Sequence, residues 1–264
     1  MKLKNSIKRL LRMAGYLLFV AGLAVLLGMI ARRERRVPCR AVEVHIPDSL
    51  LLGFVTGEEV KALVMKSQGT FLGRPMKNID TRKIEEDLLQ HPYILTAQAY
   101  KDVSGVLHVE IRQRKPVVKV FGGGGKIIFL DDQGFLLPFS SRYPVHLLVA
   151  SGNIPLPKDK SKNRTVDELP EESPLHDIYK IALFIEKDPF WKAQIEQIWV
   201  NKKGEYRLTP RVGSHAIILG DAEDLQGKFR KLYALYTHAL NNLGWNRYTQ
   251  INLTFKNQIV CTRR

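Results

Sequence analysis

Cysteine is scarce in this 264-residue chain, which contains only Cys39 and Cys261. Two thiols exclude a disulfide framework and a cysteine-based zinc site, although a single disulfide between them stays open. No serine or cysteine lies in a nucleophile motif such as Gly-x-Ser-x-Gly, and the seven histidines are spread singly along the chain. We therefore expect no enzyme activity, no metal site, no cofactor and no small-molecule substrate.

Two short motifs look like ligand sites but lack what such sites require. Gly122–Lys126 looks like a phosphate-binding loop, but Val120 stands where the first glycine is needed and Ile127 where Ser or Thr is needed. The adjacent Asp131 and Asp132 offer two carboxylates, yet no further acidic ligand follows at calcium-loop spacing. Both motifs are better explained as hairpin turns.

Acidic residues are outnumbered, since 41 Lys and Arg against 26 Asp and Glu give a net charge of +15. Nine of the basic residues lie within the first 36 positions. The others are scattered and form neither a basic stripe nor a pattern interleaved with aromatic residues. We therefore expect no binding of nucleic acid.

One long uncharged apolar run occupies residues 13–31 and is flanked by basic residues on both sides. As an α-helix it would span roughly 28 Å, close to the hydrocarbon thickness of a bilayer. A cleavable signal peptide is the alternative, but the run is long and ends without a small-x-small cleavage site. We expect an uncleaved transmembrane helix over 13–31, a cytoplasmic tail over 1–12 and a juxtamembrane linker over 32–40.

Residues 41–117 follow the pattern strand, helix, helix, strand, strand. Apolar and polar side chains alternate over 41–46 and again over 106–112, as is typical of half-buried strands. Thr56 begins a first helix with the spacing of a capping box, and Asp80 is placed to cap a second. We predict an α+β domain in which two helices cover one face of a small three-stranded sheet.

Residues 118–264 consist mostly of strand-like segments, which predicts a mostly antiparallel β domain with packed helices. Residues 155–174 are polar and interrupted by proline, so we expect a flexible loop with little to bury. Ser173–Pro174 start one helix as cap and first position. A longer helix is expected to begin at Asp221 and to end at Gly244.

The last segment alternates polar and apolar residues from Gln250 to Lys256. A strand this close to the C-terminus is expected at the edge of its sheet. Such an edge presents unpaired N–H and C=O groups on which another chain can pair. The pattern alone is equally compatible with an edge that Lys256 and Arg263 merely keep soluble.

Four segments together carry a resemblance to a known family. They are Asp80 through His91-Pro92-Tyr93-Ile94, the strand ending Gln113-Arg114-Lys115-Pro116-Val117-Val118, the hairpin 128–137 with Asp132-Gln133-Gly134, and the terminal segment 250–260. In order and spacing the chain resembles the FtsQ/DivIB family of bacterial cell-division proteins over nearly its whole length. The resemblance implies a POTRA domain over 41–117, a β domain over 118–264 and a non-enzymatic role.

The resemblance also implies a location and partners. It places the protein in the bacterial inner membrane at the division septum, with a cytoplasmic N-terminus and a periplasmic globular part. It implies a divisome scaffold that recruits FtsB- and FtsL-type partners by β-strand addition at the C-terminal edge strand. FtsK-like, FtsW-like and FtsI-like proteins are further expected contacts, linking early and late division proteins.

By position, the resemblance assigns partner contacts to the terminal strand and to a basic residue on a neighbouring strand. The predicted partner-binding residues are Thr254, Phe255, Asn257, Gln258, Ile259, Lys202 and Lys203. Thr254-Phe255 replaces an Arg-Tyr pair that is usual in the family. Recognition of charge at Thr254 is therefore not expected, whereas pairing through the backbone tolerates the change.

A different class of function is a POTRA-containing adaptor in envelope protein secretion or assembly. The single POTRA-like unit and the lack of a long region of barrel strands speak against it, since each barrel strand needs about 9–11 residues. A membrane-bound envelope enzyme is the third hypothesis, opposed by the missing nucleophile and metal motifs.

Overall fold

The computed structural model describes residues 15–25, 37–47, 53–142, 146–157, 164–240 and 244–264. Most of the predicted membrane span over 13–31 lies outside these ranges, and the described part, 15–25, is helical. Among the described residues, no helix combines the length and the apolar character that crossing a bilayer requires.

The described chain forms two compact units, the first centred on Val55–Leu89 and Thr96–Arg112 and the second on Gln113–Arg264. The elements of the first are β1 (Ala41–His45), α1 (Gly57–Gln68), α2 (Thr81–Leu89), β2 (Ile94–Lys101) and β3 (Val106–Gln113). They form a three-stranded sheet in the order β1-β3-β2, with β1 parallel to β3. The predicted order of strands and helices, and the α+β class, are confirmed.

Local sequence explains why both helices of the first unit start where they do. The Thr56 hydroxyl accepts a hydrogen bond from the Glu59 amide at 3.2 Å, and the Glu59 carboxylate accepts one from the Thr56 amide at 3.1 Å. This capping box satisfies two donors that a helix N-terminus leaves unpaired. Asp80 satisfies one such donor of α2 by accepting from the Lys83 amide at 3.1 Å. The buried residues Val60, Val64, Ile84, Leu88, Leu107, Val109 and Ile111 build the core of this unit.

Within the described residues, the second unit contains a nine-stranded mixed sheet. Its strands are β4 (Pro116–Phe121), β5 (Ile127–Asp131), β6 (Leu136–Pro138), β7 (Leu148–Gly152), β8 (Ile195–Val200), β9 (Tyr206–Pro210), β10 (Ala216–Gly220), β11 (Tyr248–Asn252) and β12 (Val260–Arg263). They lie in the order β12-β11-β10-β9-β8-β7-β4-β5-β6. Five of the eight neighbouring strand pairs are antiparallel and three are parallel. The sheet is thus mostly antiparallel, as predicted. Two of the parallel pairs, β7–β8 and β10–β11, are joined by helical crossovers, which parallel neighbours require.

Three helices, α3 (Pro174–Lys187), α4 (Pro189–Gln194) and α5 (Leu225–Leu235), contribute buried residues to the core beneath the sheet. The Ser173 cap of α3 is confirmed, because its hydroxyl accepts from the Leu175 amide. The predicted start of α5 at Asp221 is wrong. Asp224 caps that helix in a left-handed conformation, whereas the Asp221 carboxylate accepts from the Lys228 ammonium at 2.5 Å.

The predicted flexible loop over 155–174 has more to bury than its composition suggested. Val166 and Leu169 are buried in the core, and the Val166 amide donates to the Gly134 carbonyl at 2.8 Å. The Leu136 amide in turn donates to the Arg164 carbonyl at 2.8 Å. The segment is therefore tied to the β5–β6 hairpin, while residues 158–163 lie outside the described residues.

A buried ion pair joins the short segment between β3 and β4 to the β5–β6 hairpin. Arg114 Nη1 lies 2.9 Å from Asp131 Oδ2, and the guanidinium carbon lies 3.8 Å from the centroid of the Phe135 ring. Asp131 Oδ1 accepts from the Gln133 and Phe135 amides at 3.0 and 2.7 Å, which confirms the predicted turn. Burial raises the pKa of Asp131, and these hydrogen bonds and the nearby guanidinium oppose that rise.

Candidate partner-binding edge

β12 forms one margin of the nine-stranded sheet. It pairs antiparallel with β11, in the register Asn252 to Val260, Ile251 to Cys261 and Gln250 to Thr262. No strand within the described ranges pairs with its other side. The edge strand is therefore β12, whereas the alternating segment 250–256 predicted as the edge contains the end of β11, which lies between β10 and β12.

The hydrogen bonds at the end of the chain show which backbone groups of β12 point outward. The Arg264 amide donates to the Arg247 carbonyl at 3.2 Å, and the Thr262 carbonyl accepts from the Thr249 hydroxyl at 3.3 Å. Thr262 and Arg264 thus direct their backbone groups toward the sheet. Because successive residues of a strand alternate in this respect, Cys261 and Arg263 direct theirs away from it.

The side chains of β12 divide between the two faces of the sheet. Cys261 lies opposite the fully buried Ile251 and packs against the core, and burial raises the pKa of its thiol. Val260 lies opposite Asn252 and is 41% exposed. Both cysteines of the chain are free thiols, so the disulfide that the sequence left open is not formed.

Five predicted contact residues do not lie on the edge strand. Thr254, Phe255, Asn257, Gln258 and Ile259 belong to the loop 253–259, which connects β11 to β12. We call this segment the edge loop.

The side chain of Asn252 explains why β11 stops before the alternating pattern does. Asn252 Oδ1 accepts from the Thr254 amide at 2.9 Å and from the Thr254 hydroxyl at 2.7 Å. This Asx turn gives the backbone an alternative to the strand ladder. Phe255, which is 43% exposed, is therefore a loop residue beside the margin.

Lys202 and Lys203 lie in the turn between β8 and β9 and not on a strand. The registers place this turn at the same end of the sheet as the edge loop, because Gly220 pairs with Tyr206 and Ile218 with Asn252. Three strand spacings separate β9 from β12, which is roughly 14 Å. Both lysines can therefore contact a partner only if it extends well beyond an added strand.

Lys231 is a residue of this region that sequence reasoning missed. Its ammonium donates to the carbonyl oxygens of Phe255 at 2.5 Å, Lys256 at 3.3 Å and Leu253 at 3.5 Å. It lies on α5, more than twenty positions before the edge loop, and its sequence surroundings give no signal of the contact. The outward groups of Cys261 and Arg263 were also missed, although the alternation of a terminal strand would have indicated them once its bounds were known.

The sequence matches known protein families over both units. A family model described as FtsQ/DivIB, C-terminal related, matches residues 115–262, and a model of the POTRA-like domain matches residues 37–112. The chain is also similar to Cell division protein FtsQ of Rhodothermus marinus, with 26% identity over 192 residues that cover 71% of this chain and 67% of that protein. The first model alone spans more than half of the chain, which therefore belongs to the FtsQ/DivIB family of cell-division proteins.

Proposed function

We propose that this protein is a non-enzymatic divisome scaffold that captures a strand of an FtsB-type partner, together with FtsL, on the open margin of β12. The observation that carries the proposal is the outward direction of the backbone groups of Cys261 and Arg263 on an edge strand. A partner strand would pair with these groups and continue the sheet.

The proposal includes a location. The apolar run over 13–31 would anchor the protein in the inner membrane, with its N-terminus in the cytoplasm and both units on the periplasmic side at the septum. The POTRA-like domain would then be free to contact FtsK-like, FtsW-like or FtsI-like proteins. Family membership supports a cell-division role, and the charge-flanked apolar run supports the anchor.

Backbone pairing alone would be too weak for stable recruitment. Two outward residues offer four ladder hydrogen bonds, and at about 1 kcal/mol each they supply roughly 4 kcal/mol, which corresponds to a Kd of about 1 mM. Side-chain contacts must add the remainder. Val260 and Phe255 are the exposed apolar side chains nearest the margin and are suited to this.

Proline scanning of β12 tests the mechanism. Arg263→Pro removes an N–H that points outward and leaves the ladder to β11 intact, because proline is tolerated where an edge N–H faces solvent. Arg263→Ser removes the same charge and keeps the N–H. We expect Arg263→Pro to weaken binding of the FtsB-type partner at least about tenfold relative to Arg263→Ser, since a lost bond and a blocked approach together exceed about 1.4 kcal/mol.

The measurement is a pull-down or titration with the full-length protein in detergent. Equal binding by Arg263→Pro and Arg263→Ser would contradict strand addition at β12. In cells, depletion of the protein should give long filaments without septa. Normal septa with a loss of outer-membrane proteins would instead support the secretion adaptor.

A further inference from the structure

The edge loop is held by one side chain that lies outside it. Three carbonyl oxygens, those of Leu253, Phe255 and Lys256, turn toward the ammonium of Lys231 on α5. An ammonium group has three N–H donors and no acceptor, so three carbonyls satisfy it fully. Hydrogen bonds from a charged donor are stronger than those between neutral groups.

The rest of the edge loop has few other ties. The Leu253 amide donates to the Ile218 carbonyl at 2.9 Å, and the Thr254 amide donates to Asn252. Between described residues, the backbone of 255–259 has no hydrogen bond other than those from Lys231. Apart from Ile259, whose side chain packs against the core, the middle of the loop is therefore held by this one contact.

The loop leads directly into the four residues of β12, which pair with a strand on one side only. Short edge strands open locally at low free-energy cost, and a partner that binds a frayed strand must order it first. Whatever fixes the entrance to β12 thus also determines how much of the margin is already formed when a partner arrives.

We propose that Lys231 is a positioning residue that presents β12 as a preformed margin without touching the partner itself. The inference rests on the proposed function and adds to it the residue that orders the binding edge. The half-buried position of Lys231, with its ammonium directed at the loop carbonyls, supports an indirect role.

The chain offers a matched control in the adjacent residue. Arg230 is exposed on α5, and within the described residues it forms no ion pair. Its side chain lines a groove with Trp191 and Tyr233, away from the carbonyls that Lys231 contacts. Arg230→Met and Lys231→Met remove the same charge from the same helix, but only the second releases the loop.

The test measures hydrogen exchange and partner binding on the full-length protein in detergent. In Lys231→Met we expect the inward-facing amides of Val260, Thr262 and Arg264 to exchange at least tenfold faster and the FtsB-type partner to bind at least tenfold more weakly. Arg230→Met should change neither quantity. Lys231→Arg should bind the partner to within threefold of the wild type, because guanidinium donors can still reach the carbonyls. This variant serves as the readout if Lys231→Met does not fold.

The outcomes separate this inference from the proposed function. Unchanged exchange in Lys231→Met, or faster exchange with unchanged binding, would overturn the positioning role. Failure of Lys231→Arg to restore binding would also overturn it. If instead Arg263→Pro binds the partner as well as Arg263→Ser does, strand addition itself fails, whatever Lys231 does to the exchange rates.

Discussion

Replacing Arg114 with methionine should destabilise the second unit strongly. The change leaves Asp131, whose side chain is fully buried, without the guanidinium that lies 2.9 Å from its carboxylate. Breaking a buried ion pair by removing one partner costs about 3–5 kcal/mol, because an uncompensated charge stays in the interior. Methionine preserves much of the contact with the Phe135 ring, so the loss reports chiefly on the charge.

The assay is urea unfolding followed by tryptophan fluorescence. All three tryptophans, Trp191, Trp199 and Trp245, lie in the second unit, so the signal reports on that unit. Lys115→Met is the matched control, because Lys115 pairs with Glu186 at 3.0 Å but has a side chain 54% exposed. Exposed pairs contribute about 0–1 kcal/mol, and the control should lose no more than that.

The pH dependence gives an independent check of the same reasoning. Burial already raises the pKa of Asp131, and removing Arg114 should raise it further. When the pKa of a carboxyl group is higher in the folded state than its unfolded value of about 3.9, ionisation of that group destabilises the fold. The deficit of Arg114→Met should therefore shrink as the pH falls from 7 toward 4.

The double variant Arg114→Met/Asp131→Asn should regain more than half of the lost stability. The asparagine carries no charge, and its oxygen can still accept from the Gln133 and Phe135 amides. A loss below about 1 kcal/mol in the single variant, or a deficit that does not change with pH, would refute the buried-charge argument.

Two further predictions concern the packing of the second unit. His215 is buried, its Nε2 lies 2.9 Å from the Tyr236 hydroxyl, and burial lowers the pKa of the imidazole. The wild type should therefore lose stability as the pH falls below about 6.5, because the unfolded chain then binds a proton that the folded chain does not. In urea unfolding, His215→Leu should show a flatter dependence of stability on pH between 7 and 5. Gly152 has a φ of +107°, and a Cβ there would lie 2.2 Å from the Val200 carbonyl oxygen, so Gly152→Ala should lower the unfolding free energy by more than about 2 kcal/mol. A flat wild-type profile in the first case, or a loss below 0.5 kcal/mol in the second (about the effect of an ordinary surface change), would contradict these readings.

Much of the fold follows from local chemistry that a sequence displays. The capping box at Thr56 and the cap at Ser173 were predicted because each depends on residues three or fewer positions apart. The parallel pairing of β7 with β8 was within reach as well, since a helix predicted between two strands implies a crossover. It was missed because strand patterns alone do not reveal which strands are neighbours.

The candidate site was harder to predict, for two physical reasons. The alternation of Gln250–Lys256 continues past the end of β11, and only the hydrogen bonds of the Asn252 side chain show that the strand ends there. The contact of Lys231 with the edge loop depends on tertiary packing between α5 and a segment more than twenty positions later. No periodicity or local motif records such a contact.

The irregular register within β11 has a consequence for how many chains can assemble at this margin. The ladder between β11 and β12 shifts between Tyr248 and Gln250, and a bulge of this kind increases the local twist of a sheet. Two copies meeting margin to margin would also place the arginines at 263 and 264 of both chains along one short seam, where like charges repel. Twist and repulsion together disfavour pairing between copies of the chain at this margin.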